Sequence, residues 1–235
     1  MTDASDRMTK RARVNPYSAR LYEFPRRIIL FDDREHDTLR VREKVAQAER
    51  VVCELGSGSG SHLTELAARN PEAQIFGFEL RYKRAVRTIE RAQRIGLENA
   101  TVLRTNSFDL GQIFPNQSIH ELHINFPDPW ERRRSHKHRM LSARMLETLQ
   151  VVMAEGALLS IKTDHSENFE QFLELVQSSA AFELNFHTRD LHQSPYLARN
   201  IVTEFEALFL SQKLPIFALQ ANFSRAFGAP GSLLE

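Results

Sequence analysis

The chain has 235 residues, of which 42% are hydrophobic and 26% charged, with a formal net charge of +1; this is ordinary for one globular domain with a sizeable core. Cys53 is the single cysteine, which excludes an intramolecular disulfide and a cysteine-based zinc site and fits a reducing, cytoplasmic setting. No N-terminal h-region and no run of about 18 apolar residues is present, so neither secretion nor membrane spanning is expected.

In chain order, residues 1–37 read as a basic N-terminal arm, its first twenty residues ordered only by a partner, and residues 38–235 as a single domain. Lys10, Arg11, Arg13, Arg20, Arg26 and Arg27 face only Glu23 in the same span, and Leu21 to Phe31 reads as a docking strand or loop. Thr38 to Arg50 has the spacing of a surface helix. Val51 to Leu55 is a short apolar run, followed by Gly56, Gly58 and Gly60 on alternate positions and a helix with Leu63, Leu66 and Ala67 on one face. Strand, glycine turn, helix is the first unit of an open α/β sheet, with the ligand expected at the carboxyl end of the strand. A tight turn that binds nothing is the plainer reading of the same glycines.

A second strand, Gln74 to Phe78, runs into Glu79, 23 residues after Gly56. An acid there can accept from both hydroxyls of a ribose. The loop is G-x-G-x-G, not G-x-G-x-x-G, and Glu54 just before it would repel a pyrophosphate. The combination favours a nucleoside cofactor with a cationic amino-acid end. Six cations (Arg81, Lys83, Arg84, Arg87, Arg91 and Arg94) crowd the next short segment, and a helix is predicted from Lys83 to Gly96. A strand from Ala100 to Arg104 leads to Asn106, placed to read an adenine edge or simply to form a turn.

Glu121 to Asn125 alternates weakly between polar and apolar, then meets F-P-D-P-W at 126–130. Pro127 and Pro129 remove two backbone donors and hold Asp128 in a stiff turn, which suits either a preorganised functional group or a strand that merely ends there. Arg132, Arg133, Arg134, Lys137 and Arg139 then place five fixed cations in eight residues, with Ser135, His136 and His138 between them. Like charges so dense repel unless an anion is near, so nucleic-acid or phosphate contact is expected, with a solvated charged face as the plainer reading. For His120, His123, His136 and His138, solvated or phosphate-facing roles are expected in preference to a metal, since no recognisable ligand spacing is completed. Arg139 to Val152 reads as helix, Ala157 to Lys162 as a strand ending in Thr163-Asp164, and Ser166 to Ser178 as a helix capped by Ser166. Phe182 to Phe186, Glu204 to Leu210 and Ile216 to Phe223 read as late strands, the last two as an antiparallel pair.

Together, E-x-G-x-G-x-G at 54–60, G-x-E at 77–79, FPDPW with its basic tail, Thr163-Asp164 and Thr203-Glu204-Phe205-Glu206 resemble the TrmB-type tRNA (guanine-N7)-methyltransferases over roughly residues 51–223. The resemblance implies a Rossmann-like class I methyltransferase fold, a mostly parallel α/β sheet with a late antiparallel pair, using S-adenosylmethionine on tRNA without a metal, as monomer or homodimer. By position it implies that Glu54, Gly56, Gly58, Gly60, Glu79, Asn106 and Asp128 line the cofactor site, with Asp128 catalytic. Arg132, Asp164, Thr203, Glu204, Phe205 and Glu206 would contact the guanine substrate, a base of the variable loop. Residues Arg133 to Arg139 would touch RNA. Arg132 is often lysine in that family and Asn106 often aspartate. Three other readings of the residues are an amino-group methyltransferase, for which a second proline would follow Asp128-Pro129, a nicotinamide dehydrogenase, which would want a G-x-G-x-x-G loop, and a non-catalytic RNA-binding module, which would have no need for Glu79 and the glycine loop.

Overall fold

The computed structural model describes residues 15–225. Its eight strands are β1 (Ile28–Ile29), β2 (Arg50–Leu55), β3 (Ala73–Phe78), β4 (Ala100–Leu103), β5 (Ile119–Asn125), β6 (Met153–Thr163), β7 (Phe182–Thr188) and β8 (Phe217–Phe223), joined in one sheet of order β1-β4-β3-β2-β5-β6-β8-β7. The first six in that order run parallel; β8 lies antiparallel to both β6 and β7. The helices are α1 (Pro16–Arg20), α2 (Arg34–Ala46), α3 (Ser61–Arg69), α4 (Tyr82–Arg94), α5 (Leu110–Ile113), α6 (Ala143–Val152), α7 (Ser166–Ser178) and α8 (Glu204–Ser211).

β2 sits at the centre, pairing with β3 from Arg50↔Ala73 to Leu55↔Phe78 and with β5 from Val52↔Glu121 to Leu55↔Ile124. The strand order reverses here, and the crevice beyond its carboxyl end is where open α/β sheets take ligands. Alternation along the strands sorts side chains between the two faces. One face packs Val51, Cys53 and Leu55, Leu122 and Ile124, and Leu159 and Ile161 into a buried core with α2, α5, α6 and α7. The other face packs Val52 and Ile75 against α3 and α4. Cys53 is completely buried, and burial pushes its thiol pKa well up.

Ile28 and Ile29 extend the sheet by pairing with Val102 and Leu103, and Leu21 is buried beside them, so residues from 15 onward cover the sheet edge. The arm residues 1–14 lie outside the described residues. Three local expectations change. Glu204 to Leu210 is helix α8, not a strand, because Thr203 and Glu206 close a capping box that satisfies the first-turn donors. The antiparallel neighbours of the last strand are therefore β6 and β7. α7 is capped by His165, whose side chain accepts from Asn168 N, with Ser166 as its first helical residue. Arg139 is not helical; α6 begins after Ser142, which accepts from Met145 N.

Candidate active site

β2 delivers Glu54 and then a loop in which Gly56, Gly58 and Gly60 have φ of +77°, +58° and +80°. These values favour glycine, since a side chain there clashes with its own backbone. A Cβ on Gly56 would meet nothing within 4 Å, whereas one on Gly60 would stand 2.5 Å from Thr88 of α4. The loop is thus packed on one side and open on the other, as a cradle for a ligand backbone. Glu54 is buried; its Oε1 accepts from Asn125 Nδ2 at 3.0 Å and lies 3.0 Å from His62 Nδ1, while Oε2 has no partner.

At the end of β3, Glu79 is nearly buried, with Oε1 accepting from Arg81 N at 2.7 Å and Oε2 3.9 Å from the Arg84 guanidinium. Burial raises its pKa, and the Arg81 hydrogen bond and the Arg84 and Arg81 charges only partly oppose this. Asn106, after β4, spends its Oδ1 on Phe108 N at 3.0 Å, the turn-forming use. An open glycine cradle, acids at two neighbouring strand ends and an unpartnered carboxylate oxygen form a donor set that fits a nucleoside carrying a cationic group.

The FPDPW turn leaves β5 one residue after Asn125. Phe126 and Trp130, on either side of Pro127-Asp128-Pro129, have φ of +49° and +44°. Two non-glycine residues in the left-handed region cost about 1–3 kcal/mol each and persist only where surroundings impose them. Those surroundings are identifiable. Phe126 N donates to Lys162 O at 2.8 Å, and its ring stacks against Phe205 and Phe209 of α8. The Pro129 carbonyl accepts from both Arg139 Nε at 2.9 Å and Asn168 Nδ2 at 3.1 Å. Asp128 is left exposed at the apex, and Asp164, at the end of β6, is exposed as well.

Arg139 is thereby corrected from RNA contact to strut: it is 6% exposed and also donates to Gln171 at 3.1 Å. The rest of the basic run stays outside. Arg133 to His138 forms a 3-10 helix, whose three-residue turn sets Arg134 and Lys137 on one edge. Arg132, Arg134, Lys137 and His138 are exposed, and Ser135 and His136 partly so. His136 contacts the Glu131 carbonyl at 3.1 Å, and the His138 ring lies 5.3 Å from Trp130.

Around α8 the predicted substrate residues divide. Glu206 is completely buried and takes Lys162 Nζ at 2.8 Å, Thr203 N at 3.3 Å and Asn200 Nδ2, so neither of its oxygens is open to a ligand. Thr203 is buried as the helix cap. Glu204 is exposed and bridges Ser59 of the glycine loop at 2.6 Å to Arg91 of α4 at 3.0 Å, while Phe205 is 56% exposed. Lys162 uses all three protons, on Glu206, Asn200 and the Ile201 carbonyl. Burial pushes its pKa down and Glu206 pushes it back.

His62, Asn125, Lys162 and Asn168 were not singled out as site residues from sequence. Asn125 and Lys162 did carry a signal, as polar residues at the ends of central strands; His62 and Asn168 look like ordinary helix residues. His123 is not solvated: it is buried, with Nε2 2.7 Å from Glu121. Among the described residues no group of three or more His, Cys, Asp or Glu side chains is placed to hold a metal ion, and no helix is long and apolar enough to cross a membrane.

Solved structures with this arrangement include the 16S rRNA methyltransferase KamB, with a TM-score of 0.60 at 18% identity over 83% of this chain and 94% of that one. Another is a 16S rRNA (adenine(1408)-N(1))-methyltransferase variant with cosubstrate SAM from Catenulisporales acidiphilia, with a TM-score of 0.55 at 15% identity over 80% and 91%. They establish the class I methyltransferase fold. In sequence, the chain is 34% identical over 203 residues to a bifunctional glycosyltransferase/methyltransferase of Fusobacterium nucleatum, covering 86% of this chain and 31% of that protein's length. It is 31% identical over 218 residues to a tRNA (guanine-N(7)-)-methyltransferase of Lactobacillus helveticus, covering 91% of this chain and 99% of the relative. The corresponding enzyme of Listeria monocytogenes is 31% identical over 206 residues, covering 88% and 94%. The family model described as "Putative methyltransferase" matches residues 48–219. With the glycine cradle, the pinned FPDPW turn and these relatives together, the chain belongs to the S-adenosylmethionine-dependent TrmB-type tRNA (guanine-N7)-methyltransferase family.

Proposed function

We propose that this protein methylates N7 of a guanine in the variable loop of tRNA. The observation that carries the reading is the hydrogen bond from Asn125 to Glu54: it ties the acid of the glycine cradle to the strand residue from which the FPDPW turn starts. Cofactor acid and catalytic turn are thus held as one unit.

The residues suit a reaction governed by positioning. Guanine N7 has a lone pair and no proton, so attack on a methyl carbon needs no strong base. When bound, S-adenosylmethionine supplies that methyl on a cationic sulfur; the Gly56–Gly60 cradle, Glu54 and Glu79 are the residues that would hold it, with Asn106 beside them. Exposed Asp128 and Asp164 can accept from the guanine N1 and N2 donors and stabilise the positive charge that spreads over the purine as N7 is alkylated. Glu206 supports this pair indirectly by fixing Lys162 and the start of α8. Arg132 would contact the guanine, while Arg134 and Lys137 supply phosphate contacts that position tRNA without reading bases.

Incubation with tRNA and methyl-labelled S-adenosylmethionine, followed by nucleoside analysis, tests this. Label is expected as 7-methylguanosine from the variable loop, and 7-deazaguanine at that position should abolish transfer while the tRNA still competes, because its Watson–Crick edge is intact. Label on an exocyclic amino group would overturn the assignment.

A further inference from the structure

Glu54 sits in an alternating row of buried acids and imidazoles. His62, in the first turn of α3, has its Nδ1 3.0 Å from Glu54 Oε1 and 3.2 Å from Asn125 Nδ2, so the tautomer decides whether that nitrogen donates to the carboxylate or accepts from the amide; its ring lies edge-on to His123 of β5, centroids 5.0 Å apart. His123 in turn meets Glu121, and Glu121 meets Arg50 of β2 at 2.5 Å. The remaining charges packed against this row are Lys162 on β6, which acts on both Glu54 and His62, and its partner Glu206 on α8. His62 and His123 are 4% and 7% exposed, and both line a cavity of about 240 Å³ with Lys162, Tyr196 and Arg199. A buried carboxylate with one oxygen doubly engaged and the other unpartnered is expensive unless a ligand completes it.

We propose that His62 is a positioning residue for the cofactor: its Nδ1–H fixes Oε1 of Glu54 and leaves Oε2 for the cationic amino group of S-adenosylmethionine. This rests on the reading that the cofactor binds beside Glu54. A neutral imidazole suits the task better than a lysine or arginine, because it donates a hydrogen bond without cancelling the carboxylate charge. The electrostatics agree. Burial alone would raise the Glu54 pKa, but in the acid range, where His62 becomes protonated, its charge and hydrogen bond, with help from Asn125 and His123, carry it below the ordinary carboxylate value. Burial holds His62 below the ordinary imidazole value despite Glu54, so it is neutral at neutral pH.

The test is S-adenosylmethionine affinity by calorimetry at pH 8.0 and 6.5 on the full chain and on His62→Leu and His62→Asn. The unaltered protein should bind about equally at both pH values. In His62→Leu the burial of Glu54 is opposed only by Asn125 and His123, its pKa rises, and affinity should fall more steeply from pH 8.0 to 6.5 than in the unaltered protein. His62→Asn, which keeps a donor near the Nδ1 position, should stay within about threefold of the unaltered protein at both, a fraction of one hydrogen bond. A second arm needs no cofactor: nitrogen NMR of the free protein should show His62 as the Nδ1–H tautomer. A pH-independent affinity in folded His62→Leu, or an Nε2–H tautomer, overturns the proposal. If His62→Leu does not fold, the asparagine variant and the tautomer still decide. Failure of the unaltered protein to bind S-adenosylmethionine at either pH overturns the functional reading instead, and leaves the tautomer to decide the pairing of His62 with Glu54.

Discussion

The two faces of the central strands obey different rules. β5 turns Leu122 and Ile124 into an apolar core on one side, and Glu121, His123 and Asn125 toward the opposite side; β6 divides Leu159 and Ile161 from Ser160 and Lys162 in the same way. Parallel strands covered on both faces are ordinarily apolar throughout. Polar residues inside central strands therefore mark a face kept for chemistry, and here a row of them runs from Arg50 and Glu121 through His123 and His62 to Glu54, beside the FPDPW turn. The apolar face holds the sheet together, while the polar face aims it.

The sharpest way to break this contrast is at Lys162. Lys162→Met should lower unfolding free energy by about 3–5 kcal/mol in urea titrations, because Glu206 is left buried and uncompensated. Lys162→Met with Glu206→Leu should recover much of the loss; if it recovers none, the pair is not the unit it resembles in the structure. Next in size, Asp128→Ala should cut kcat about 10²–10³-fold, the range for losing one preorganised group in the transition state, with tRNA affinity and stability little changed. An equal loss in tRNA binding would make the turn a substrate dock. Glu79→Ala should weaken S-adenosylmethionine by about 1.5–3 kcal/mol in calorimetry, as for lost hydrogen bonds to a charged group; unchanged affinity would remove Glu79 from the cofactor site. The smallest effect separates strut from contact. Arg134→Ala with Lys137→Ala should flatten the log-log salt dependence of tRNA binding by up to about two units, roughly one per phosphate contact. Arg139→Ala should leave that slope alone and lower kcat through Pro129. A slope change in Arg139→Ala would return it to the RNA surface.

The parts legible in sequence were those coded over short distances: the strand–glycine–helix unit around Gly56, the acid Glu79, the stop at Pro127 and the run after Trp130. Each is set by local backbone chemistry. What was not legible depends on partners far along the chain. Arg139 reads as one more cation in a basic run, and its burial comes from Pro129 on one side and Gln171 on the other. Lys162 finds Glu206 44 residues later. The misread helix α8 is instructive because its signal was local: Thr203 followed three residues on by Glu206 is a capping box, and the apolar alternation after Thr203 obscured it.

Cys53 has a practical consequence. It is completely buried in β2, hydrogen-bonded on both sides to β3 and β5, and its raised pKa keeps it a protonated, unreactive thiol. As the chain's one sulfhydryl, it reports on the switch-point strand without any engineered label. A thiol reagent should modify the native enzyme only as fast as that strand opens, a subglobal or global event. Saturating S-adenosylmethionine should slow the modification by the factor 1 + [ligand]/Kd, which makes the trapping rate a cofactor titration in its own right.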